Sequence, residues 1–415
     1  MKTVKSVIKF LVVAAIVAGM CVPAYAFPPP QPIPGQYIVQ FKVDKLPPAE
    51  KSNIAAESRD QKAQGALLKR QGVLSKINSF NAKNKIKESA VIHRFSHVMA
   101  GYSAKLSPNE VVLLRKNADV AGVFQDFTIS LGPIQAKVAS AASVKAQSQP
   151  ETCAIQKAGG HVDGSTKNTW IWILDTGIDQ THPDLNVQTN PTHAKSFVPG
   201  QSAVVDGKGH GTHCAGIAAA KNNAFGVVGV SAGAKVVPVK VLDNTGNGQW
   251  SWLIAGLDHV SHYDIPGDVV SMSLGGYPVN NCANASPSLN NVIYNLANAG
   301  TYVVMAAGNN GQCNGAASCL PGCINHANVF TVGALNCNMT RAGYSNYGPN
   351  LVDWVAVGTD VYSTYPVSKG SYATMSGTSM ATPVVAGIIH ARHGAPVSGG
   401  NVNVAGCGVY KSAHR

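Results

Sequence analysis

Apolar residues follow three different rules along this chain. Residues 10–22 are an unbroken apolar run behind Lys2, Lys5 and Lys9, and Ala24-Tyr25-Ala26 supplies the small residues that a signal peptidase reads. The run falls short of the roughly 20 residues a membrane span needs, so it predicts a secretory signal peptide over residues 1–26. After a Pro-rich joint at residues 27–35 (FPPPQPIPG), apolar and polar residues alternate at 37–41 as in a half-buried strand. Residues 54–78 read as helical. Strand patterns at 91–95 and 98–106, a helix capped at Ser107-Pro108 and running to Lys116, and a strand near 120–129 complete a small α+β domain over residues 36–131. From 169 onward the strands become continuously apolar, as in Trp170-Ile171-Trp172-Ile173-Leu174, followed by Asp175-Thr176-Gly177. Such a run predicts a strand buried on both faces that delivers a carboxylate to the carboxyl edge of a sheet. Further strands are expected at 235–242, 268–274, 301–307 and 328–334, with helices at 250–262 and 288–299 between them. Alternation of this kind predicts an α/β domain over residues 147–415, a parallel sheet with helices on both faces. Residues 132–146, rich in Ala, Ser and Val, read as an exposed linker open to processing.

With 415 residues, 45% of them apolar, the chain can build sizeable cores and is not disordered. Its 32 Lys and Arg against 20 Asp and Glu give +12, which raises the question of a polyanionic partner. Counting by segment removes it. Residues 1–26 carry +3, residues 27–149 carry 17 basic and 8 acidic side chains, and residues 150–415 carry 12 of each. The second domain is neutral by this count, so neither nucleic acid nor a membrane surface is expected as a partner.

Three segments carry chemistry: Asp175-Thr176-Gly177-Ile178-Asp179, Gly209-His210-Gly211-Thr212-His213 and Gly377-Thr378-Ser379-Met380-Ala381. A serine hydroxyl needs a positioned base to become a nucleophile, and a carboxylate to hold that base in the right tautomer, and the three segments supply one of each. An aspartic protease would need a second Asp-Thr-Gly or Asp-Ser-Gly, a zincin would need His-Glu-x-x-His, and neither occurs. The chain order Asp, His, Ser, with these flanking residues, resembles the subtilisin-like serine proteases, the subtilases, and residues 36–131 resemble their inhibitor-type propeptide, a ferredoxin-like α+β unit. The alternative of another class is a catalytically silent secreted binding protein on the same fold.

The resemblance implies a secreted endopeptidase, made as a prepro-enzyme, that acts on protein and peptide substrates as a monomer and needs no catalytic cofactor. It implies catalytic roles for Asp175, His210 and Ser379, with Asn309 as side-chain donor to the oxyanion. It also implies a cleft whose edges are Ser273, Leu274, Gly275 and Gly276 on one side and residues 246–253 on the other, where Gly248 pairs with the peptide while Trp250 and Leu253 line an apolar pocket. Residues 221–227 resemble a structural Ca²⁺ loop, for which Gln147, Asp184 and Asn223 are the implied ligands, although Lys221 departs from the pattern by placing a cation there. Eight cysteines follow the signal segment and allow 105 pairings. The resemblance implies a free Cys214 and a Cys282–Cys323 bridge; a Cys313–Cys319 bridge is a further expectation. Only 36 residues follow Ser379, and Gly394, Pro396, Gly399 and Gly400 break any long helix, so the helix and strand that usually cover this part of the core are expected to be missing.

Overall fold

The computed structural model describes residues 29–42, 59–132, 135–139, 149, 151–276 and 286–415. The signal segment, Gln147 and the expected partner cysteine Cys282 lie outside these residues. The principal elements of the N-terminal domain are β1 (Pro32–Phe41), α1 (Arg59–Lys83), β2 (Val91–Phe95), β3 (Gly101–Lys105), α2 (Pro108–Lys116) and β4 (Val120–Ser130). They form an antiparallel sheet in the order β4-β1-β3-β2, and Val39, Ile77, Tyr102, Val111 and Leu114 fill its core. Ser107 caps α2 in a full capping box with Glu110, as the Ser-Pro signal predicts. Pro32 to Gly35, expected in the joint, instead extend β1, because Pro32 pairs with Phe127 and Gln31 exchanges hydrogen bonds with Thr128. The first residue of a strand tolerates a proline, which has no N–H to donate.

The linker segment holds β5 (Lys137–Val138), exposed as expected but paired with a strand of the second domain. That domain follows with β6 (Ile171–Asp175), α3 (His210–Ala219), β7 (Lys235–Lys240), β8 (Asn247–Gln249), α4 (Trp250–Tyr263), β9 (Val269–Met272), α5 (Pro287–Asn298), β10 (Tyr302–Ala306), β11 (Val329–Leu335), β12 (Trp354–Val357), β13 (Val361–Thr364), β14 (Tyr372–Met375), α6 (Thr378–Arg392), β15 (Val397–Val404) and β16 (Gly408–His414). The central strands are parallel in the order β7-β6-β9-β10-β11-β12. Connectivity reverses beside β6, so the carboxyl ends of β6 and β9 flank the crevice where α/β sheets gather their chemistry. Helix α6 is apolar on every side and buried from Thr378 to His390.

After α6 the chain turns into the β15–β16 hairpin. Its second strand joins β12, and Val402, Val404 and Tyr410 pack against Tyr347 and Val355. Cys407 at the hairpin bend is bonded to Cys313, and a second disulfide joins Cys153 to Cys337. The expected Cys313–Cys319 bridge is therefore corrected: Cys319 is a buried free thiol, as is Cys214. Cys323 is disulfide-bonded.

The two domains share polar contacts that leave few loose ends. Asp258 on α4 accepts the N–H groups of Ser96, His97 and Val98 at 2.7–3.1 Å. Asp126 on β4 accepts the Ser251 N–H at 3.2 Å, capping a helix whose own N-cap residue, Gln249, contributes no side-chain bond. The Cys313–Cys407 bond, which fastens the hairpin to the core across 94 residues, yields a direct expectation. Cys407→Ser in an inactive Ser379→Ala chain should lose about 2–4 kcal/mol of stability, seen as a lowered thermal unfolding midpoint under non-reducing conditions.

Candidate active site

Asp175 ends β6 and His210 begins α3, and the two meet at the crevice. His210 Nδ1 lies 2.8 and 2.9 Å from the carboxylate oxygens of Asp175, with both side chains about 1% exposed. Burial alone would push the imidazole pKa down, but the Asp175 carboxylate outweighs it and holds His210 well above its ordinary value. The Nδ1 proton is thereby assigned, leaving Nε2 as the basic nitrogen; it is buried and has no hydrogen-bond partner among the described residues.

Ser379 is the second residue of α6. Its Oγ donates to the Ser273 carbonyl at 3.2 Å, so the serine–histidine hydrogen bond expected of a triad is not made in this state. Pro383, four residues on, has no N–H, and so the carbonyl of Ser379 is released from the helical ladder. It accepts instead from Ser273 Oγ at 2.8 Å and from the Cys214 thiol at 3.5 Å. These bonds tie the nucleophile's backbone to the end of β9 and to α3.

Asn309 is fixed from the other side. Its Oδ1 accepts from Thr378 N and Thr378 Oγ1, both at 2.8 Å, and this turns Nδ2 outward, buried and without a partner. A Cβ placed on Gly377 would lie 3.4 Å from Asn309 Nδ2 and 3.6 Å from Ser379 N. Two N–H donors thus face one small space that a side chain at 377 would fill. An oxygen carrying negative charge suits that space, at the positive end of α6.

The cleft already holds an extended strand, the end of β4. Thr128, Ile129 and Ser130 pair antiparallel with Gln249, Gly248 and Asn247, Ser130 bridges Gly275 on the opposite edge, and Leu131 N donates to Gly246 O at 3.1 Å. Gly248 must lack a side chain here, because a Cβ would sit 2.4 Å from Val241 O and 3.2 Å from Ile129 Cγ1. Ile129 and Leu131 are buried in one apolar cluster with Leu242, Trp250, Leu253 and Leu274. Gly276, expected on the same edge, pairs with Leu320 instead. Ala136 lines a depression of about 360 Å³ together with His210, Tyr365 and Met375.

A subtilase family model matches residues 166–391, and a peptidase inhibitor I9 model matches residues 36–132. The chain belongs to the subtilase family. Subtilisin amylosacchariticus of Bacillus subtilis subsp. amylosacchariticus is 38% identical over 319 residues, covering 76% of each protein. M-protease of Shouchella clausii (strain KSM-K16) is 36% identical over 303 residues, 72% of this chain and 70% of that protein. Subtilisin of Bacillus pumilus is 41% identical over 229 residues, 55% of this chain and 78% of that protein. The chain is a serine-type endopeptidase with the subtilisin-like α/β fold, and the silent binding protein is set aside. Subtilisins need no catalytic cofactor. No helix among the described residues is long and apolar enough to cross a membrane.

The loop at residues 221–227 is built of oxygens. The carbonyls of Lys221 and Val227 and Asn223 Oδ1 converge on Gln149 Nε2 at 2.5, 2.6 and 3.3 Å. Gln149, two residues beyond the expected Gln147, reaches this loop, while Gln147 lies outside the described residues. Asp184 is buried beside it. Its Oδ2 accepts from Val227 N at 3.0 Å, its Oδ1 has no partner among the described residues, and burial pushes its pKa up to about 6. The Lys221 ammonium, the one departure from a cation site, turns out to Pro183 O.

Asp206 is the residue that sequence reasoning misses. Buried, it accepts from Thr176 Oγ1, Gly209 N, Thr212 N and Thr212 Oγ1 at 2.6–2.8 Å, so it joins the end of β6 to the start of α3 and sets Asp175 against His210. Its signal is an acidic residue three positions ahead of the helix cap, within one turn of the helix it serves. The pocket around Ile129 gives a direct test of the inserted strand. Burying an Ile is worth about 1.5–3 kcal/mol. Ile129→Asp should therefore loosen the N-terminal domain from the cleft by at least about tenfold. Activity toward a peptide substrate should then appear sooner after expression, and unchanged kinetics would show that Ile129 does not hold the domain.

Proposed function

We propose that the protein is a secreted endopeptidase made as a prepro-enzyme, in which Asp175, His210 and Ser379 act as the triad and Asn309 with the Ser379 N–H binds the oxyanion. The observation that carries this reading is the buried pair of unpartnered groups, His210 Nε2 and Asn309 Nδ2, on either side of Ser379. One is a base without a proton to take and the other a donor without an acceptor, and a peptide carbonyl attacked by Ser379 supplies both needs. Rotation of Ser379 Oγ away from the Ser273 carbonyl starts the reaction. His210 takes its proton, the carbonyl oxygen becomes an oxyanion between Asn309 and the helix start, and the imidazolium returns the proton to the leaving amine. Water then repeats the sequence on the acyl-enzyme.

The N-terminal domain serves as propeptide and intramolecular inhibitor, presenting the end of β4 as a peptide bound in the direction of a substrate. Cleavage falls beyond Leu131 and before Gln147. Substrates bind chiefly by main-chain pairing with Gly248 and Gly275, which tolerates many sequences. The pocket holding Ile129, with Trp250 and Leu253, favours an apolar side chain. Residues 1–26 support export, and since one chain supplies every group of the site, a monomer suffices.

Comparison of the wild type with Ser379→Ala tests the triad: the wild type should process itself and label with a fluorophosphonate, and the variant should do neither. A folded wild type that stays whole and unlabelled would overturn the reading. Asn309→Ala should lower kcat by about 10²–10³ with little change in KM, the range found on removing one such donor from a subtilisin.

The loop at 221–227 fits a structural Ca²⁺, a hard cation that takes six to eight oxygens. Lys221 O, Val227 O, Asn223 Oδ1 and Asp184 would hold it, and the Gln149 amide must first turn its nitrogen out of their centre. Added Ca²⁺ should raise the thermal midpoint of the Ser379→Ala chain, and Asp184→Asn should remove that response. A midpoint indifferent to both Ca²⁺ and chelator would refute the site.

A further inference from the structure

The amino ends of the sheet strands, opposite the active site, contain a second built site. Asp268, immediately before β9, is completely buried. Its carboxylate faces a guanidinium from the other domain: Arg59, the first residue of α1, places Nη1 2.5 Å from Oδ2 and Nη2 2.6 Å from Oδ1. The remaining edges of the guanidinium are used as well. Nη1 donates to Tyr263 O at 3.2 Å, Nη2 donates to Asn168 O at 2.7 Å, and the plane lies 3.7 Å from the centroid of the Trp170 ring. Asp268 is aimed at this position by three donors of its own domain, Trp170 N at 2.9 Å, Trp172 Nε1 at 2.8 Å and Ile265 N at 3.3 Å.

A forked carboxylate, two carbonyls at the flanks and an aromatic face match a planar guanidinium. A compact ammonium can satisfy only part of the set. Lys235, the cation of the catalytic domain nearest this ring, stays 5.8 Å from its centroid. When the N-terminal domain departs, Asp268 loses its only charged partner in this site, and a buried carboxylate without a counterion is costly.

We propose that Asp268, Trp170 and the carbonyls of Asn168 and Tyr263 form a guanidinium-binding socket of the catalytic domain. It anchors the N-terminal domain through Arg59 and accepts a free arginine-class ligand once Arg59 is withdrawn. The second half of this statement rests on the reading of the N-terminal domain as a propeptide that leaves. The socket itself does not, so the test uses the Ser379→Ala chain, which stays whole whether or not the wild type processes itself.

In that background Arg59→Ala empties the socket. Low millimolar ethylguanidinium or Nα-acetylarginine amide should then raise the thermal midpoint saturably and alter the fluorescence of Trp170 and Trp172, whereas ethylammonium should do neither. The chain with Arg59 intact should show no saturable response. Equal effects of the two cations, the same response with Arg59 present, or no response in Arg59→Ala would each overturn the socket. Should Arg59→Ala fail to fold, Arg59→Lys decides: it keeps the charge but loses the fork, and a midpoint equal to that of the Arg59 chain would refute recognition of the guanidinium.

Discussion

A helix begins with backbone N–H groups that find no acceptor within it, and three such beginnings, those of α3, α4 and α6, meet at the cleft. How each is satisfied governs the rest of the molecule. Helix α3 takes Asp206, and the same carboxylate binds Thr176, so the helix carrying His210 cannot move independently of the strand carrying Asp175. Helix α4 takes Asp126 from the other domain. Helix α6 is only partly capped: Asn309 Oδ1 accepts from Thr378, and the next donor, at Ser379, faces the small space beside Gly377. The capped helices hold the geometry, and the incompletely capped one leaves a backbone donor facing the space beside Gly377.

The division between what was readable and what was not follows the range of the interactions. Asp175 is legible from the continuous apolar run that ends on it, whereas His210 and Ser379 are legible through the short flanking segments and chain order that carry the subtilase resemblance. Asp206 also acts locally, but its role depends on four acceptor bonds that no spacing rule expresses. Asp126 is beyond reach of such rules, because its target Ser251 lies on another domain. Cys313 pairs with Cys407 rather than Cys319 because the terminal hairpin folds back across β12, a consequence of topology that Gly399 and Gly400 only hint at by ruling out a helix. The alternating pattern at 37–41 reads correctly as a strand, whereas its extension to Pro32 depends on a partner, Phe127, that sequence alone does not reveal.

The same contacts set the orientation of Ser379. With the end of β4 lying in the cleft, Ser379 Oγ is directed to the Ser273 carbonyl, while the unpartnered His210 Nε2 is kept from water. An imidazole so shielded, and so strongly biased by Asp175, holds its tautomer without help from the serine. On the mechanism proposed above, activation would take one side-chain torsion at Ser379 and no rebuilding of the contacts made by Asp206 and Pro383.

Strand β8 is only three residues long, and on its open side it is paired with β4 of the N-terminal domain. Were that domain to leave, as proposed above, β8 and the backbone at Gly275 would become bare sheet edges. Long, flat edges recruit neighbouring molecules into aggregates. An edge of three residues offers too little pairing to nucleate a shared sheet, yet enough to hold a passing extended segment for one turnover. Brevity of this kind works as protection against self-association at an edge left without its partner strand.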